Sequence, residues 1–283
     1  MPFALADVEL SQPLPTVTLG AGDEGLGLLV RRRGRPLGFV LRPMAAGSTL
    51  DPGALGELIA DELREALVRD AVADELRPGV ALAPPDVSVV RAAPSDRALR
   101  AGGSRWVAFV PPDAALDHGW SAGLAEAIAE HPDAAAVTGL VLPRTLRSQA
   151  AVDFERDGGF HLGFEKLRFA GDRRPDVPFY PVDTRSLGAA GNLAVRRDAA
   201  LAAGGARGGE GALLYRLLRA GHPLVYEPRM LAFHAREAPP RDGVRVLGPA
   251  LWVARGTPEH RGRAARAAGW WALQSLKRAV GGR

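Results

Sequence analysis

The chain has 283 residues, 36 Lys and Arg against 32 Asp and Glu, and no cysteine. That length accommodates one large or two small domains with a buried core, and the lack of cysteine excludes a disulfide framework, thiolate metal sites and a cysteine nucleophile. The net charge of +4 is spread along the chain, and Arg31-Arg32-Arg33 has no row of aromatic residues beside it, so nucleic acid is not an expected partner.

The opening residues lack a basic stretch leading into an apolar core, and no apolar run approaches the roughly 18 residues of a membrane-spanning helix. With a reducing compartment as the default for a cysteine-free chain, a soluble cytoplasmic protein is expected. Leu26 to Arg32 and Leu37 to Arg42 read as two strands around Arg33-Gly34, a hairpin turn in which Gly supplies positive φ. Ser48-Thr49 and Asp51-Pro52 then signal a helix start, and Leu55, Leu58, Ile59, Leu63, Leu67 and Val68 recur at helical spacing, an apolar face that should pack on the hairpin. Residues 1–80 are thus expected to form a small hairpin-plus-helix module, with a proline-rich linker from Arg77 to Asp86.

Val87 to Arg91 is a short β-branched run, followed by an expected turn at Pro94-Ser95-Asp96 and a strand from Trp106 to Val110. A helix should cover Ser121 to Glu130, end at His131-Pro132-Asp133, and lead into an apolar strand from Ala134 to Leu142. This order predicts an α/β fold with some parallel pairing. Gly188 to Arg197 reads as a loop running into a strand, Ala212 to Ala220 as a helix stopped by Gly221, and Leu224 to Tyr226 as a strand. In the tail, residues 238–283, a basic amphipathic helix is expected from about Gly262, with Trp270, Leu273, Leu276 and Val280 in one stripe. That stripe fits docking on protein or peripheral contact with the inner face of the membrane.

Between residues 87 and 237 several motifs occur in one order. Val107-Ala108-Phe109-Val110-Pro111-Pro112-Asp113, with Gly119-Trp120 after it, is similar to a strand that ends in a run of metal-binding aspartates. Phe154-Glu155-Arg156-Asp157-Gly158-Gly159-Phe160, Gly191-Asn192-Leu193-Ala194-Val195-Arg196-Arg197, Gly208-Gly209-Glu210-Gly211 and Tyr226-Glu227-Pro228 follow. Singly these glycines are ordinary turn formers. Together the series resembles glycosyltransferase family 2, and the hairpin-plus-helix resembles the N-terminal module of one branch of it.

The resemblance implies a GT-A-like mixed, mainly parallel sheet flanked by helices, and transfer of a sugar from a nucleotide sugar to a glycan or polyprenyl-linked acceptor. It implies Mg²⁺ or Mn²⁺, which prefers hard oxygen ligands and neutralises the departing diphosphate. Asp113 is then the surviving carboxylate of the metal motif, because Val110, Pro111 and Pro112 replace the rest, and His234 matches a histidine that assists the metal. For His234 alone, a hydrogen-bonded histidine ending a strand is the competing reading. The family's general base falls at Gly211, leaving Glu210 as a substitute whose side chain points about 100° away on a helix. Glu210 is equally a first-turn glutamate favoured by the helix dipole. Asn192 falls on the acceptor side.

The metal-motif strand begins at Trp106, soon after Arg91. One βαβ unit takes about 30 residues, so much of the family's nucleotide-binding half is expected to be missing. The expectation is therefore a family 2-like scaffold with two outcomes: a working transferase, or a non-catalytic protein that binds a glycan, a lipid-linked sugar or a partner glycosyltransferase.

Overall fold

A computed structural model describes residues 2–76, 82–170, 187–188 and 191–235. The first region contains β1 (Ala4–Glu9), β2 (Val17–Thr18), β3 (Gly25–Arg32), β4 (Arg35–Pro43), β5 (Thr49–Leu50), α1 (Pro52–Glu62) and α2 (Arg64–Leu76). Then come β6 (Val87–Val90), α3 (Asp96–Ala101), β7 (Trp106–Phe109), β8 (Ala115–Leu116), α4 (Trp120–Glu130) and β9 (Ala136–Pro143). The remainder is α5 (Gln149–Arg156), β10 (Leu167–Phe169), β11 (Leu193–Arg196), α6 (Arg197–Ala202), α7 (Gly209–Arg219) and β12 (Leu224–His234). The expected linker lies partly outside the described residues, and the expected C-terminal amphipathic helix lies wholly outside them.

The large sheet runs β10-β12-β9-β11-β7-β6, with β8 paired to β12. Pairs β12/β9 and β7/β6 are parallel, whereas β10/β12, β9/β11, β11/β7 and β12/β8 are antiparallel. The sheet is thus mixed and not mainly parallel: β11 runs against β7 and β9 and separates two strands that share a direction. The near-continuous apolar run Trp106 to Val110 follows from burial on both faces. Trp106 and Ala108 pack with Trp120, Leu124 and Ala127 of α4. On the opposite face, Val107 and Phe109 join Leu99 of α3, Ala199 and Ala200 of α6, and Leu213, Leu214 and Leu217 of α7.

The expected turn at Pro94-Ser95-Asp96 is a helix start. Ser95 is extended, and its side chain accepts from the Ala98 N–H, capping α3. Because α3 is only 6 residues long, a parallel strand-helix-strand crossover, β6-α3-β7, fits in a stretch shorter than such a unit usually takes.

In the first region β3 pairs parallel with β1 and antiparallel with β4. The hairpin forms as expected: Arg33 and Gly34 both have positive φ, 52° and 74°, the arrangement that suits a two-residue turn between twisted strands. An arginine tolerates that conformation here because Glu9, on the adjacent strand, accepts from the Arg33 and Gly34 N–H groups, each at 2.8 Å. Asp51 caps α1 by accepting from Ala54 N–H at 2.9 Å. Leu55 and Ile59 then bury against Leu26, Leu28, Val30 and Val40, which carries the expected docking of helix on hairpin. Val68, expected on the same face, is instead 62 % exposed, since α1 ends at Glu62 and α2 restarts with a different phase.

Strand β1 went unforeseen because its core-facing positions, Ala4, Ala6 and Val8, are mostly small and alternate with Leu5 and Asp7, which leaves a weak period-2 signal. Phe3 also bridges to Leu146 beyond β9, and Leu29 packs into the core beneath the large sheet.

Candidate functional site

In α/β sheets, ligands sit beyond the carboxyl ends of the parallel strands. Here those ends are Val90, Phe109, Pro143 and His234, and the antiparallel β11 begins beside them, with Leu193 opposite Phe109 and Thr138. This edge gathers most of the residues expected to carry function.

The Pro111-Pro112-Asp113 stretch forms a closed turn in which Ala114 N–H donates to Pro111 O at 3.1 Å. Proline at the second position suits such a turn through its fixed φ. Arg91, just past β6, donates to Ala114 O at 2.6 Å and ties the turn to the neighbouring strand. Asp113 is exposed on this turn. Asp117, further along, is consumed elsewhere: its carboxylate takes both terminal nitrogens of Arg31, at 3.2 and 2.9 Å, and the Gly119 N–H at 2.9 Å.

Pro111 meets the β11 loop at Gly191, whose φ is 89° and where a Cβ would stand 2.6 Å from the proline ring. The Gly191 N–H in turn donates to Glu210 Oε1 at 3.3 Å. Glu210 lies in the first turn of α7, which starts at Gly209 after a left-handed Gly208. The structure thus brings Pro111, Gly191 and Glu210 together, while Gly211 is buried in the helix.

Asn192 is fully buried and its amide is spent internally. It accepts from Trp120 Nε1 at 2.8 Å and donates to Leu140 O at 3.0 Å and Met230 O at 2.6 Å. Gly139 is the glycine that permits this knot, because a Cβ there would overlap Met230 O and the Asn192 amide.

His234 ends β12 and is buried beside Glu155 of α5, with Nε2 3.4 Å from Oε1. Phe160 packs edge-on to the imidazole, ring centroids 5.2 Å apart at 88°. Glu155, which the sequence placed only in a scaffold motif, is therefore the partner of a candidate site residue. Among the described residues no group of three or more His, Asp or Glu side chains is arranged to hold a metal ion.

The other charged concentration sits away from this edge. Glu126 of α4 receives Arg35 at 2.8 and 3.0 Å and Arg229 at 2.8 Å, and Lys166 pairs with Glu227 at 2.8 Å and with Glu130 at 2.5 Å. Burial pushes the Glu126 carboxyl up, but Arg35, Lys166 and Arg229 outweigh it and hold it at about 2. For Glu227 burial wins over Lys166 and the pKa is raised. Glu227 belongs to the Tyr226-Glu227-Pro228 motif, whose tyrosine hydroxyl donates to Gly163 O at 2.8 Å. None of this seam was legible in the sequence, since its members come from four distant segments.

Among the described residues no helix is long and apolar enough to cross a membrane. Compared with protein-family models and with curated proteins, the chain matches none.

Proposed function

We propose that the chain is a glycosyltransferase family 2-like scaffold that binds a glycan or polyprenyl-linked sugar at the carboxyl edge of its sheet without transferring it. The observation that carries this reading is the Pro111-Gly191-Glu210 contact. The residue at the family's metal motif packs on the β11 loop, and the carboxylate nearest the vacant base position accepts that loop's N–H. A general base must reach the acceptor hydroxyl, and a glutamate tethered to backbone beside Gly211 is poorly placed to do so. The donor set also does not fit a Mg²⁺ or Mn²⁺ ion held by clustered carboxylates: Val110, Pro111 and Pro112 offer no side-chain oxygen, Asp117 is locked on Arg31, and Asp113 is the remaining acid of that stretch.

The test is to titrate UDP- and GDP-sugars with Mn²⁺, and separately a polyprenyl-phosphate-linked sugar, by calorimetry, while assaying release of UDP or GDP. Binding of the lipid-linked sugar without nucleotide release is expected. Turnover that falls strongly in Glu210→Gln and His234→Ala would sink the proposal and restore an active transferase.

A further inference from the structure

Arginines from two distant segments meet on one layer of the fold. Residues 96–105 hold three arginines and one acid, and residues 196–219 hold five arginines and two acids, a net +5 in a chain whose total is +4. Both segments cover the same face of the large sheet, where Leu99 of α3, Ala199 and Ala200 of α6, and Leu213, Leu214 and Leu217 of α7 share one core. The acids are engaged within the layer: Asp96 accepts from the Ala206 N–H at 2.6 Å, Glu210 from the Gly191 N–H at 3.3 Å, and Asp198 pairs with Arg196 at 2.9 Å. Two of the arginines also work inward. Arg197 donates to Ser104 O at 2.7 Å and to Leu99 O, tying α6 to the end of α3, and Arg216 donates to Arg207 O at 2.8 Å and to Gly205 O, fixing the glycine-rich loop before α7. Arg97, Arg100, Arg105 and Arg207 are exposed on the layer so built, and among the described residues none of the four forms an ion pair.

We propose that this arginine layer is a docking face for an anionic phospholipid bilayer. Cations that the protein does not neutralise itself attract a surface of opposite charge, and the guanidinium fork matches phosphate oxygens. Gly102, Gly103, Gly208 and Gly209 lie exposed beside these arginines, so little side-chain bulk stands between them and a broad planar partner. None of the exposed large apolar side chains lies on α3, α6 or α7, which makes the contact an electrostatic one at the headgroups without insertion. Nucleic acid fits the layer less well: it has no exposed aromatic ring on which a base could stack, and its helices are packed on the sheet rather than projecting as a reading element for a groove. The docking face is independent of the sugar binding proposed above, and its failure would leave that proposal standing.

Co-sedimentation of the full chain with vesicles tests it. Binding to phosphatidylglycerol-containing vesicles but not to pure phosphatidylcholine is expected, and it should be stripped between about 0.1 and about 1 M salt, where the screening length falls from about 10 to about 3 Å. An arginine near an anionic surface contributes about fivefold in partitioning, so Arg97→Gln with Arg100→Gln, and separately Arg105→Gln with Arg207→Gln, should each lower it about 25-fold. Arg42→Gln with Arg64→Gln removes the same charge from exposed positions of the first region and should change partitioning by less than about twofold. Circular dichroism checks that each protein is folded, which replacement of exposed side chains should preserve. Failure of the parent to bind phosphatidylglycerol vesicles overturns the proposal. An equal loss in the Arg42→Gln, Arg64→Gln protein also overturns it, since net charge alone would then account for binding, and so does binding that survives in both layer variants. Duplex DNA at equal phosphate concentration is the last arm: tighter binding than to the vesicles, lost in the same layer variants, would make the partner nucleic acid and reject the bilayer.

Discussion

Two polar concentrations among the described residues are built on opposite rules. The seam between the small N-terminal sheet and the body pairs carboxylates with arginine or lysine: Arg31 with Asp7 and Asp117, and Arg35, Arg229 and Lys166 with Glu126 and Glu227. The carboxyl edge of the large sheet has prolines and glycines where acids would be expected, and the acids it keeps include Asp113 on an exposed turn, Glu210 facing a backbone N–H and Glu155 facing an imidazole. Among the described residues, buried arginine–carboxylate pairs gather where the two sheets join.

The largest expected effect is at the seam. Arg31 and Asp117 are 4 % and 5 % exposed in their side chains, so Arg31→Ala leaves a buried carboxylate without its cation. A loss of about 3–5 kcal/mol in urea unfolding is expected. A loss below about 1 kcal/mol, the value of an exposed ion pair, would erase the contrast between the two regions. Acid should also strike the seam first. The Glu126 carboxyl is held at about 2 and Glu9 likewise at about 2, below their ordinary 4.5, so both contribute stability that is complete above that value and lost as pH falls from 4.5 towards 2. Glu227 is raised by burial and works in the opposite direction. Melting temperatures measured across this window should fall less steeply in Glu126→Gln than in the parent, and equal slopes would show that the cluster does not stabilise the charged form. The smallest effect belongs to the edge. Glu210→Ala removes the hydrogen bond from Gly191 N–H and should cost about 1 kcal/mol. A cost equal to that of Arg31→Ala would mean that the edge is as tightly built as the seam.

Local chemistry made much of the scaffold readable. Arg33-Gly34, Asp51 and Gly221 announced their turn, cap and helix stop because those geometries are set by the residue itself. The apolar runs at Leu26 to Val30 and Trp106 to Val110 announced buried strands for the same reason. The α3 crossover was missed because a six-residue helix carries less than two turns of periodicity, so its cap at Ser95 read as a turn. At the candidate site, motif order brought out Asp113, Asn192, Glu210 and His234 but not their partners. Trp120, Gly191 and Glu155 meet them across 72, 19 and 79 residues of chain, a separation at which no spacing rule operates.

What the sequence determined by itself was therefore which groups this chain has and lacks: no thiol, no run of acids after Phe109, no acid at position 211, and strands apolar enough to be buried on both faces. Only the tertiary structure decided how the remaining polar groups are spent. Asn192 is locked inside the sheet, Asp117 is given to Arg31, and Glu155 is set against His234. The physical reason is that a side chain's covalent identity fixes what it can donate or accept, whereas burial and the partner brought to it by distant segments fix which of those capacities remains for a ligand.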